Sequence, residues 1–206
     1  MTRSKKLKSA PEKKIVICIS GMAGTGKSTL SKKLARKYKL RYYSGGDALK
    51  ALAAKAGYDS SSPGWWETSE GLSFLEEREK NLKFDKAVDD KLLEYAQQGQ
   101  VLLDSWTMPW LLKTGFKIWL VASVEKRAER IAQRDKIPIR EALNMLKEKE
   151  ARTKMIYKNL YGFMLGEDFT PFNLVLDTNV LNAGDVFQVL CKVMDNVILE
   201  SDAREP

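Results

Sequence analysis

The sequence predicts an α/β fold: one sheet of five parallel strands with helices packed on both faces, giving three layers. Three observations predict it. Short, nearly continuous apolar runs recur five times along the chain, and runs of this kind suit strands buried on both faces. Stretches of helical character separate them, the alternation that lays helices over a parallel sheet. A glycine-rich turn follows the first run directly and opens a helix. The 206 residues, 44% hydrophobic and 30% charged, are enough to bury a full core.

The elements follow in order. KIVICIS (14–20) is a β-branched strand, followed by the turn GMAGTGKST and a helix to about Tyr38. LRYYS (40–44) reads as the second strand and 46–56 as a short helix. GYDSSSPGWW (57–66) is a loop by composition. A charged helical region covers about 67–98 and stops at Gly99. QVLLD (100–104) and FKIWLVA (116–122) are the third and fourth strands. A helix runs from about Val124 to Arg134, and a highly charged helical segment spans 135–165. NLVLDT (173–178) is the fifth strand, and an amphipathic helix covers about 183–199. Residues 14–199 are expected to form one domain, between a basic disordered tail (1–13) and a frayed C-terminal tail (200–206). Two connections, 45–99 and 123–171, are too long for simple crossovers and read as insertions that cover a site.

The formal charge is +8, and residues 1–14 carry +5 of it. Such a tail can touch nucleic acid without specificity, although a solvated terminus is the favoured reading. The chain has no histidine, which excludes Ser-His and Cys-His nucleophilic sites and His-ligated zinc. Cys18 and Cys191 sit in apolar patterns and read as reduced core thiols. No purely apolar run is longer than Ile15–Ile19, far short of the roughly 20 residues that span a bilayer. The start is polar and basic, with no apolar leader. A cytoplasmic monomer with no membrane contact is expected.

Gly21-Met22-Ala23-Gly24-Thr25-Gly26-Lys27-Ser28 fits G-x-x-x-x-G-K-[ST] in full. The glycines (21, 24 and 26) let the backbone curl so that N–H groups, including those of Thr25 and Thr29, converge on a phosphate chain. The following helix adds its positive N-terminal end. Lys27 neutralises the β- and γ-phosphates of ATP, and the Ser28 hydroxyl faces Mg²⁺. Asp104 ends a buried strand, the position from which a carboxylate reaches the same ion. The fold is therefore that of a P-loop NTPase. No [NT]-K-x-D motif occurs and Asp104 precedes Ser-Trp-Thr, which argues against a switch GTPase; the chain is short for AAA-type motors and has no transporter-type signature, which leaves a small P-loop kinase.

The chain resembles the nucleoside monophosphate kinases, above all the archaeal cytidylate kinases, over about residues 14–195. Ser44-Gly45-Gly46-Asp47-Ala48-Leu49-Lys50 resembles their S-x-G-D-x-[LF]-R segment. Arg127, Arg130 and Arg134 resemble the arginine run that begins the lid, Tyr157–Gly162 the Y-K-x-x-Y-G that closes it, and Phe172–Thr178 the strand after it. Asp85 and Asp89 fall where the family has paired aspartates. The resemblance implies ATP and Mg²⁺ as cofactors, a lid over 135–165, an acceptor-binding insertion over 45–99, and CMP or dCMP as acceptor, with AMP the nearest variant. It implies that Arg130 packs on the donor base and Arg134 reaches its phosphates. Without the family, positions 127, 130 and 134 already share one helical face and read as an anion site with no compensating carboxylate.

The acceptor half departs from the family. Lys50 stands for an arginine, Asp104-Ser105-Trp106 for E-G-R, and Lys149, Thr153 and Ile156 for an arginine, an acid and an arginine of the lid. Lys50, Lys149 and Arg152 are candidates to rebuild the phosphate clamp, beside Ser44, Asp47, Asp104 and Trp106. Trp106 and Trp110 stand where the acceptor lies, and Trp65 and Trp66 on its lip, as stacking platforms or as packing residues. Two alternatives stay open: a P-loop kinase of another small acceptor, such as a shikimate- or gluconate-like alcohol, and an ATP-binding protein without transferase activity.

Overall fold

The computed structural model describes residues 14–62 and 64–203. Five strands form one all-parallel sheet: β1 (Val16–Gly21), β2 (Arg41–Ser44), β3 (Val101–Asp104), β4 (Phe116–Val121) and β5 (Leu174–Asp177), in the order β2-β3-β1-β4-β5. All five expected strands are present to within two residues at either end. Eight α-helices accompany them among the described residues: α1 (Lys27–Lys37), α2 (Gly45–Lys55), α3 (Ser69–Lys80), α4 (Lys83–Gln98), α5 (Met108–Leu111), α6 (Val124–Asp135), α7 (Ile139–Tyr161) and α8 (Ala183–Ala203).

Side-chain alternation along the central strands builds the layers. Ile17 and Ile19 of β1, Leu102 of β3, and Ile118 and Leu120 of β4 pack against Leu30 and Leu34 of α1 and Leu190 and Met194 of α8. Val16, Cys18, Val101 and Leu103 face the other way, onto Leu49 of α2, Val88 and Leu92 of α4, and Met108. The third layer continues around Leu75, Trp119, Ile156, Tyr157 and Leu165, where α3 and α7 meet the sheet. Both cysteines are buried and unbridged, as expected.

Three differences from the sequence reading have local causes. The helical region 67–98 is two helices: Asn81 takes extended angles (φ −134°, ψ 86°) and its side chain accepts the Lys83 N–H at 3.2 Å. The loop 57–66 ends in a short 3-10 turn, Trp65–Glu67, whose Trp65 is 1% exposed and is core rather than lip. The last helix continues to Ala203, into the expected tail. The basic tail 1–13 and its nucleic-acid contact lie outside the described residues. No helix among those described is long and apolar enough to cross a membrane.

Candidate active site

Strand order places the site. The chain leaves β1 toward β2 and β3 on one side and returns through β4 on the other, so a crevice opens at the carboxyl ends of the central strands. A cleft of about 720 Å³ lies there, in the size range of small-molecule sites.

At one end is the phosphate loop. Gly26 (φ 88°) precedes α1 and offers no side-chain cap, which leaves the first-turn N–H groups free for an anion. Gly24 (φ 81°) approaches α6 so closely that a Cβ there would lie 2.8 Å from the Arg127 carbonyl oxygen. Gly24, Gly26, Lys27, Ser28 and Thr29 line the cleft. Gly21 and Thr25 instead shape the loop from behind: the Gly21 carbonyl accepts the Trp106 indole N–H at 2.6 Å, and the Thr25 hydroxyl donates to the Met22 carbonyl at 2.9 Å. Burial pushes the Lys27 ammonium below the usual lysine range, against the pull of Asp104 and Glu150. Its Nζ sits 5.4 Å from the Trp106 ring centroid, a cation–π contact. Trp106 therefore shares the stabilisation of the Lys27 charge with Asp104 and Glu150 while adding no negative charge of its own.

Asp104 ends β3 between the ends of β1 and β2, is 3% exposed, and accepts the Tyr42 hydroxyl at 3.1 Å. It lines the same cleft as Ser28. A buried carboxylate and a hydroxyl, completed by phosphate oxygens and water, fit Mg²⁺, a hard ion that takes few protein ligands. No cluster of three or more acidic, histidine or cysteine side chains occurs among the described residues; Ser28 and Asp104 are the candidates to hold the ion.

The expected arginine face divides. Arg130 lines the cleft, anchored by Nη1 to the Thr178 hydroxyl (3.1 Å) and by Nη2 to the Thr178 carbonyl (2.7 Å). Arg134 also lines it, paired with Asp135 (2.5 Å) and Glu67 (3.2 Å). Arg127 does not line it: the guanidinium is buried in a bidentate pair with Glu150 of α7 and donates to the Ala23 carbonyl at 3.1 Å. The expectation of three uncompensated guanidiniums is thus corrected. Glu150 and Glu67 lie 23 and 67 residues away from their arginines, beyond the reach of helical periodicity.

On the acceptor side, Ser44 caps α2 by accepting the Asp47 N–H at 3.1 Å, and both residues line the cleft. Lys50 lines it with its Nζ on the Ser62 carbonyl at 3.0 Å. Lys149 lines it too, 8% exposed and 2.5 Å from Glu67. Arg152 is not brought in: its guanidinium binds Glu79 of α3 at 2.7 and 2.8 Å on the outer side of α7. Trp110 is also outside, stacked on Phe163 with centroids 4.2 Å apart. Trp66 and Trp106 are the tryptophans that face the cleft.

The polar floor was only half legible. Arg78, 3% exposed, lines the cleft and grips Asp85 with Nε (3.0 Å) and Nη2 (2.7 Å). The only sequence signal for its burial is its place one turn beyond Phe74 and Leu75 on the apolar face of α3. Asp89 accepts the Thr107 and Tyr161 hydroxyls, at 2.5 and 2.8 Å. Burial outweighs these bonds and raises its carboxyl to about 6. An unfolded aspartate titrates near 3.9, so the folded chain binds the extra proton between about pH 4 and 6 and loses stability as pH rises through that window. Asp89→Asn should remove this slope. Urea denaturation from pH 4 to 7 should show the variant gaining about 2–3 kcal/mol relative to wild type across the range.

A model of the cytidylate kinase-like family matches residues 16–180. The cytidylate kinase of Methanocaldococcus jannaschii is 34% identical over 188 residues, covering 89% of this chain and 99% of that protein. That of Pyrococcus horikoshii is 31% identical over 194 residues, covering 94% and 95%. Among solved structures, a shikimate kinase from Bacteroides thetaiotaomicron superposes with a TM-score of 0.53 at 15% identity, covering 88% of this chain and 98% of that one, a likeness of fold. The phosphate loop, the parallel sheet and the match over four fifths of its length agree: this chain belongs to the cytidylate kinase-like family and is a P-loop nucleoside monophosphate kinase.

Proposed function

We propose that this kinase transfers the γ-phosphoryl group of Mg-ATP to CMP or dCMP. One observation carries the mechanism: a single cleft joins the phosphate loop at one end to an insertion-lined half bounded by Ser44, Asp47, Lys50, Trp66 and Arg78 at the other. Donor and acceptor therefore meet over Lys27. The names of the relatives support the cytidine base.

An acceptor phosphate oxygen attacks the γ-phosphorus in line. The new P–O bond forms as the bond to the β,γ-bridging oxygen breaks, and ADP leaves with that electron pair. The acceptor phosphate is already ionised, so no strong base is needed; positioning and charge dominate. Lys27 and the loop N–H groups hold the β- and γ-phosphates. Arg134 and Lys149 face the same space and meet the charge that spreads over the moving group. Mg²⁺, when held by Ser28 and Asp104, neutralises phosphate charge. Arg130, fixed to Thr178, keeps its guanidinium plane in place for the donor base.

An ADP-release assay with Mg-ATP against CMP, dCMP, UMP, AMP and GMP tests this. The expected result is turnover confined to, or strongest with, CMP and dCMP. Silence across the panel, with ATP still bound, would overturn it.

A further inference from the structure

Glu67 sits in the 3-10 turn of the acceptor insertion, with its side chain only 11% exposed. Its two carboxylate oxygens each hold a cation of the opposite wall. Oε1 lies 2.5 Å from Lys149 Nζ on α7, and Oε2 lies 3.2 Å from Arg134 Nη2 on α6. Lys149 also donates to the Trp66 carbonyl at 3.3 Å. All three charged groups line the cleft. The Lys149 and Lys27 ammoniums lie close enough to feel each other's charge, and Lys149 also feels that of Arg134.

We propose that Glu67 is an internal competitor for polyphosphate, a positioning residue that occupies the two lid cations until the donor's phosphates replace it; this rests on the cleft binding Mg-ATP at the phosphate loop. The sign of the effect does not depend on where Glu67 goes. If it leaves, binding must first break two charge-assisted contacts. If it stays, a carboxylate remains beside the incoming phosphates. Either way its negative charge opposes the donor, and removing it favours binding. Because Arg134 is also paired with Asp135 at 2.5 Å, most of the release falls on Lys149. The same clasp ties the acceptor insertion to the lid, so seating the donor frees the insertion to adjust around the acceptor.

Calorimetric titration of the full chain with Mg²⁺ and a non-hydrolysable ATP analogue tests this with no acceptor present. Glu67→Gln should tighten Kd by about tenfold, equivalent to one charge-assisted contact of roughly 1.4 kcal/mol. In a Lys149→Met background the same change should gain less than about threefold, since the cation it would release is gone. Glu67→Asp, which keeps the charge but reaches one cation only, should fall between and serves if Glu67→Gln does not fold. An unchanged or weaker Kd in a folded Glu67 variant, or an equal gain with and without Lys149, overturns the inference. Failure to phosphorylate any nucleotide would overturn the proposed reaction and leave this binding result standing.

Discussion

Lys27→Ala is expected to lower kcat by at least about 10²–10³-fold, the loss that follows removal of one preorganised group from a developing negative charge. The expected size rests on how the ammonium is held. It is part-buried, with the face of Trp106 on one side and Asp104 and Glu150 nearby. A charge partly withdrawn from water interacts more strongly with phosphate than a fully hydrated one. Burial of the ammonium opposes its charge, so the variant's thermal midpoint should be unchanged or higher. Steady-state rates and a melting curve on one preparation check both halves. A large fall in midpoint would mean that Lys27 is a structural contact. Lys27→Arg should not restore the full rate, because a planar guanidinium presents its donors in a rigid fork and does not reproduce the compact point charge that meets the phosphates.

The second large effect is on folding. Asp85→Ala should destabilise the protein by about 3–5 kcal/mol, because it strands the Arg78 charge in a site 3% exposed. The Arg78 side chain is 4% exposed, and its guanidinium lies 5.9 Å from the Trp66 ring. Replacing both partners with apolar groups, Arg78→Met with Asp85→Leu, should recover most of the loss, since well-packed apolar residues replace buried ion pairs at little cost. Urea denaturation of the three variants measures this. Equal losses in the single and double variants would show that packing, not the unpaired charge, dominates.

Features that depend on local order are legible in the order of residues alone. Five strand-like runs became five parallel strands: the central β1, β3 and β4 are largely buried between two helical layers, while the edge strands β2 and β5 are only partly covered. The glycine pattern from Gly21 to Ser28 placed the phosphate loop, because the backbone angles it needs are nearly closed to other residues. Ser44, Asp47 and Asp104 reached the cleft because each sits at or just after the carboxyl end of a strand.

Which charges remain for a substrate is set by packing between elements that are distant in the chain. Arg127, Arg130 and Arg134 look alike along α6, yet one is consumed by Glu150, one is braced by Thr178, and one is shared by Asp135 and Glu67. Arg152 and Lys149 are less than a turn apart on α7, but one points to Glu79 outside and the other into the cleft. Trp65 and Trp66 are adjacent, and one is core while the other faces the cleft. Periodicity tells which residues share a face of one element. It carries no record of what the facing element presents, and for a charged side chain that partner decides whether it binds a ligand or the protein itself.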